Sequence, residues 1–151
     1  MPPFVALVGI SLLAAVAGLS FVLQQAVNAD LRASLHSAAW AGFVSYLGGT
    51  LCMLLLALVM RDQVPQVSAL SRSHWWAWSG GLFGALYISI SIVLVPRIGT
   101  AAFVALLVTG QMLASLVFDH YGLFGVPRHP LDPVRLSGAF LLVVGAVLVR
   151  Y

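Results

Sequence analysis

The sequence predicts an all-α integral membrane protein with five transmembrane helices, and three observations carry that reading. Of its 151 residues, 62% are hydrophobic and 7% charged, whereas a soluble domain has roughly 45–50% apolar and about 25% charged residues. The apolar residues gather into five runs, each near the roughly 20 residues that cross about 30 Å of hydrocarbon. Tryptophans cluster where two of these runs begin, as expected of side chains that anchor at the membrane–water boundary. The charged side chains are seven arginines and four aspartates, with no lysine or glutamate. That inventory excludes an ordinary cytosolic enzyme, a coiled coil and a disordered tail.

The spans are expected at residues 4–27, 38–60, 75–95, 100–118 and 133–149, and the whole chain, 1–151, as a single membrane domain. Each span must be helical, because hydrocarbon offers a bare backbone no hydrogen-bond partner. Span one is read as a retained span rather than a cleaved leader: it lacks a basic start, and Gln24-Gln25-Ala26-Val27-Asn28 is a poor cleavage site. Trp40 anchors the start of span two, and Trp75, Trp76 and Trp78 that of span three. Pro96 and Gly99 bracket a turn of a few residues before span four. Asp132-Pro133 offers an N-cap followed by proline at the first helical position of span five.

Several classes fall away. The net charge of +3 is scattered and makes no basic stripe for nucleic acid. Cys52 is the only cysteine, so no intramolecular disulfide forms. The histidines at 36, 74, 120 and 129 lack zinc-site spacing, so neither metal nor cofactor is expected. The serines lack a base within the spans, which argues against an intramembrane enzyme.

With five spans, Arg61, Arg72, Arg128 and Arg135 fall on the side of the N-terminus, and Arg32, Arg97 and Arg150 on the other. Orientation follows an excess of Lys and Arg on the cytoplasmic side, and four against three is almost none. Such a chain can insert both ways. Two copies in opposite orientation would form a ten-helix inverted pair, the symmetry used by alternating-access transporters. A fixed orientation, or an antiparallel pairing with a paralogous chain, stays open.

Polar residues within the spans fall on helical stripes. Ser20, Gln24 and Asn28 share a face of span one. Gly42, Tyr46, Gly49, Thr50 and Met53 share one in span two. Gly80, Gly84, Tyr87 and Ser91 share one in span three, and Gln111, Ser115 and Asp119 one in span four. A polar group in lipid is costly unless it meets protein or a cavity, so the stripes are expected to line a central cavity. Gln111, Tyr87 and Thr50 lie near the midplane, where transporter sites usually form. Candidate substrate contacts are therefore Gln111, Tyr87, Thr50, Tyr46, Gln24, Asn28 and Ser115. Gln111 could equally bond to another helix. Gln24 and Asn28 could serve as interfacial caps, and Asp119 could sit among headgroups beside His120. No carboxylate lies at the midplane, which disfavours proton-coupled export of a cation and leaves a neutral or anionic substrate, held by amide, hydroxyl and aromatic groups, as the better fit. Asp119 is a coupling group only if it lies deeper than its position in the span indicates.

Five stretches together carry a family resemblance: Gln24-x-x-x-Asn28-x-x-Leu31; Trp75-Trp76-Ala77-Trp78-x-Gly80-Gly81-x-x-Gly84-Ala85; Pro96-Arg97-x-Gly99-x-Ala101; Gly110-Gln111-x-x-Ala114-Ser115-Leu116-x-x-Asp119-His120-x-Gly122-Leu123; and Arg135-Leu136-x-Gly138. The chain resembles the YdcZ-type, EamA-like five-helix branch of the drug/metabolite transporter superfamily over nearly its whole length. The span-four stretch is the most specific. The resemblance implies a multi-pass protein of the bacterial inner membrane that forms one half of a ten-helix inverted-repeat transporter. It also implies that the last helix makes the dimer contact, through Gly138 and Gly145. The central glutamate of the four-helix multidrug exporters has no counterpart here.

The function expected is alternating-access transport of a small polar metabolite, by an antiparallel homodimer or by pairing with a paralogue. A passive dual-topology channel and a non-transporting assembly subunit are the alternatives. The expected partners are the substrate, the bilayer and a second five-helix chain.

Overall fold

The computed structural model describes residues 3–150. Among them are six α-helices, five of which are long and apolar enough to cross a membrane. The chain divides into two compact units, one ending at Val93 and the other beginning at Leu94.

In the first unit, α1 (Pro3–Leu35) outruns the span expected from hydropathy, which ends at Val27. The reason is local. Asn28–Leu35 contains no proline or glycine, and leucine, arginine and alanine are good helix formers. The helix therefore continues after the apolar run has stopped. It ends at His36, whose φ of 53° breaks the ladder, and Ser37 opens α2 (Ala38–Met60) as an extended N-cap accepting from the Trp40 N–H at 3.3 Å. At the far end of α2, Arg61 turns left-handed. The Asp62 N–H then bonds back to the Ala57 carbonyl (3.0 Å) and the Arg61 N–H to that of Leu58 (3.2 Å), satisfying carbonyls the helix leaves open.

The segment between spans two and three holds a short helix, α3 (Val67–Arg72), which hydropathy does not reveal because six residues are too few for a periodic signal. Span three begins as a 3₁₀ turn, Trp75–Ser79, closed by the Ser79 hydroxyl on the Trp76 carbonyl (2.7 Å). It continues as α4 (Gly80–Ile98).

Pro96 lies inside α4, and the turn expected around it shrinks to Gly99 alone. A proline within a helix leaves the carbonyl four residues earlier without its N–H. That carbonyl belongs to Ile92, and Arg32 of α1 donates to it from Nη1 at 3.1 Å. A substitute donor from another helix thus lets α4 run through the proline. Gly99 has φ +82°, a conformation that favours glycine, and it is the joint at which the chain redirects. The unit's small core is Ala41, Ile88 and Ile92, with Leu31, Ala38 and Tyr87 packed against it.

The second unit pairs α5 (Thr100–Tyr121) with α6 (Pro133–Arg150). Thr109 Oγ1 bonds within its own helix to the Ala105 carbonyl (2.8 Å) and across to that of Leu142 (3.4 Å). Leu116, Ala139 and Ala146 are buried, and the small alanines permit close approach. Gly122 ends α5 with a left-handed cap, and the connection folds back over the helix end. There the Arg128 Nε–H donates to the His120 carbonyl (2.9 Å) and the His129 N–H to that of Asp119 (2.8 Å). The expected cap of α6 is present: Asp132 Oδ1 accepts from the Arg135 N–H at 2.8 Å.

Candidate functional site

A cavity of about 450 Å³ opens in the first unit, within the roughly 300–1,000 Å³ usual for small-molecule sites. Helix α1 contributes Gln24, and α4 contributes Tyr87 and Ile88. The remaining wall is α2, with Ser45 and Tyr46 on one turn and Gly49, Thr50 and Met53 on the next. Four of the residues picked from the stripes, Gln24, Tyr46, Thr50 and Tyr87, therefore come together. None of the described lining residues is charged. Their chemistry is one amide, several hydroxyls and two aromatic faces, suited to hydrogen bonding and stacking.

Two features set the position of these groups. Phe21 stacks on Tyr87, with ring centres 5.1 Å apart and planes within 16°. Gly84 faces the Tyr46 ring so closely that a Cβ there would run into the Tyr46 hydroxyl, with Cζ only 3.4 Å away. A residue without a side chain is thus what lets Tyr46 lie against α4.

Behind the cavity wall lies a second polar set. Gln25 is 2% exposed and Asn28 4%. Gln25 Oε1 and Nε2, Asn28 Nδ2 and Tyr87 Oη are buried and close no hydrogen bond among the described residues, the polar neighbour of Tyr87 Oη being the Ser91 hydroxyl. Ser91, 1% exposed and one turn beyond Tyr87, donates to the Ile88 carbonyl at 3.1 Å. Sequence reasoning missed Gln25 because it followed the Ser20–Gln24–Asn28 stripe. The signal was present in another stripe, Phe21, Gln25, Asn28 and Arg32, spaced four, three and four residues apart. Both ends of that stripe contact α4.

The other expected site residues lie in the second unit. Ser115 and Asp119 of α5, with Arg135 and Gly138 of α6, line a separate cavity of about 390 Å³. Asp119 Oδ2 pairs with Arg135 Nη1 at 3.2 Å. The sequence places these two residues at the ends of successive antiparallel spans, which is the clue to the pair. Gln111 is exposed on α5 and lines neither cavity. Gly145 is half-buried on α6, two turns beyond Gly138, and a Cβ at either glycine would meet open space.

Five apolar helices bearing polar stripes define a multi-pass α-helical membrane protein. The profile of the family described as "Putative inner membrane exporter, YdcZ" matches residues 9–148, and the chain belongs to this family. It is similar to the Inner membrane protein YdcZ of Escherichia coli (strain K12), at 28% identity over 134 residues covering 88% of this chain and 89% of that protein. No solved structure matches the chain.

Proposed function

We propose that the chain is one half of a ten-helix transporter of the bacterial inner membrane. It carries a small polar metabolite by alternating access, as an antiparallel homodimer or together with a paralogous five-helix chain. The observation that carries this reading is the uncharged cavity walled by Gln24, Tyr46, Thr50 and Tyr87 among helices that are otherwise apolar. Membership of a family described as exporters supports it. Gln111, Asn28 and Ser115 remain proposed contacts, Asp119 the proposed coupling group, and the Gly138–Gly145 face of α6 the proposed dimer contact.

The test compares the metabolites inside and outside cells overproducing the wild-type chain or the Tyr87→Ala variant. A polar metabolite shifted at least about tenfold by wild type, with saturating flux lost in Tyr87→Ala at equal expression, is expected. Flux that never saturates would replace the transporter with a channel, and no shift for any metabolite would overturn transport. Orientation is tested with single cysteines at Ser34 and Ser68 in a Cys52→Ser background. Labelling of each site in about half of the molecules is expected of a chain that inserts both ways.

A further inference from the structure

The cavity of the first unit accounts for Gln24, Tyr46 and Thr50 but not for the polar atoms behind it. Helices α1 and α4 touch at two defined points: the Phe21–Tyr87 stack and the bond from Arg32 to the Ile92 carbonyl. Along α1, Gln25 and Asn28 lie between those points. Along α4, Ser91 does. The two helices thus enclose a short polar seam, stapled at both ends. In apolar surroundings a buried amide or hydroxyl without a partner is strongly unfavourable. Three side chains of one seam carry such atoms. Isolated cases can be absorbed by a single water, but adjacent ones on facing helices describe a place for a hydrogen-bonding guest.

The geometry points to an inner subsite formed by Gln25, Asn28 and Tyr87, continuous with the cavity through Tyr87, that binds the uncharged oxygen-rich end of a substrate such as a hydroxyl or carbonyl group. This rests on the transport reading and narrows its substrate class. The unspent groups are the two amide NH₂ donors, one amide carbonyl and one phenol that both donates and accepts, matching an alcohol or carbonyl on both counts. A cation is opposed twice. Among the described residues no carboxylate borders the seam, and the charged neighbour found there, Arg32, is positive. An anion would lose its hydration while Arg32 is already held by Ile92. Tyr87 belongs to both compartments, since it lines the cavity while its hydroxyl is buried.

The test is thiol modification in vesicles, using Asn28→Cys in a Cys52→Ser background. Exposed positions at Ser34 (loop end of α1) and Leu23 (apolar face) serve as the aqueous and lipid-facing references. Three reagents of one size class are compared: hydroxyethyl, trimethylammonioethyl and sulfonatoethyl methanethiosulfonate. After normalisation to Ser34→Cys, the hydroxyethyl reagent is expected to modify position 28 at least about tenfold faster than either charged reagent, and well above the rate at Leu23→Cys. A rate no higher than at position 23 would mean a dry seam and overturn the proposal. A faster charged reagent would overturn the uncharged class. Gln25→Leu supplies a second readout that needs no labelling. Removing an amide with no protein partner leaves the melting midpoint unchanged or raised, whereas a midpoint lowered by several degrees would show the amide to be structurally paired and overturn the site. Neither readout requires flux, so a hydrated, uncharged-selective seam in a chain that moves no metabolite would overturn the transport reading alone.

Discussion

Arg32 of α1 donates to the carbonyl of Ile92 in α4 at 3.1 Å, the carbonyl left without an intrahelical donor by Pro96. An arginine near the end of one span and a proline near the end of another are thereby parts of one device. Without Arg32 the carbonyl faces apolar surroundings unpaired, at a cost of about 1–3 kcal/mol. Arg32→Leu is therefore expected to lower the midpoint of denaturant unfolding. Pro96→Ala restores the missing N–H, so the same arginine substitution should cost much less in that background. Equal costs in both backgrounds would separate the two residues.

Gly84 and Tyr46 form the second coupled pair. Gly84→Ala places a Cβ against the Tyr46 hydroxyl, the far end of an exposed side chain that must swing aside, so a displaced ring with only a small loss of stability is expected. The expected outcome is a displaced Tyr46 and lost transport. Tyr46→Phe removes the obstructing oxygen and should restore stability, though not the hydroxyl proposed as a substrate contact. Melting measurements on the two single variants and the double variant check the coupling.

Asp119 and Arg135 are about one-third exposed, at 28% and 35%. Partly exposed ion pairs contribute at most about 1 kcal/mol, so Asp119→Asn should leave the protein folded and slightly less stable. Exchanging the charges, Asp119→Arg with Arg135→Asp, should recover most of that loss. If Asp119 couples transport to protons, the Asn variant flattens the pH profile of flux. An unchanged profile assigns Asp119 to structure.

Gln111→Ala is expected to reduce flux by at least about tenfold with expression intact. Gln111 is exposed on an apolar helix, and its amide is proposed as a substrate contact, with a bond to a neighbouring chain as the competing role. Loss of flux together with loss of the dimer in detergent would identify the second role, and wild-type flux would remove Gln111 from the site.

What was legible in the sequence follows from which forces act locally. Hydropathy located α2 to the residue, because apolar run and helix coincide there. It misjudged α1 because helicity and hydrophobicity part company after Val27. The cap at Asp132 was readable because it needs only its near neighbours. Pro96 was read as a turn because its rescue comes from Arg32, sixty-four positions away in the chain. Helical phase gathered Gln24, Tyr46, Thr50 and Tyr87, which line one cavity from α1, α2 and α4. It overlooked Gln25, one position from Gln24, because two polar stripes run side by side on α1 and only contact with α4 tells them apart.

The length of α1 has a consequence of its own. Its last eight residues extend the rod about 12 Å beyond the apolar run, at the α-helical rise per residue. Asn28 and Arg32 lie on this extension, while Phe21 and Gln25 lie on the apolar run before it, all on one continuous helix. Bilayers of different thickness would draw that helix in, tilt it or push it out. Lipid acyl-chain length would thereby act on the proposed α1–α4 seam.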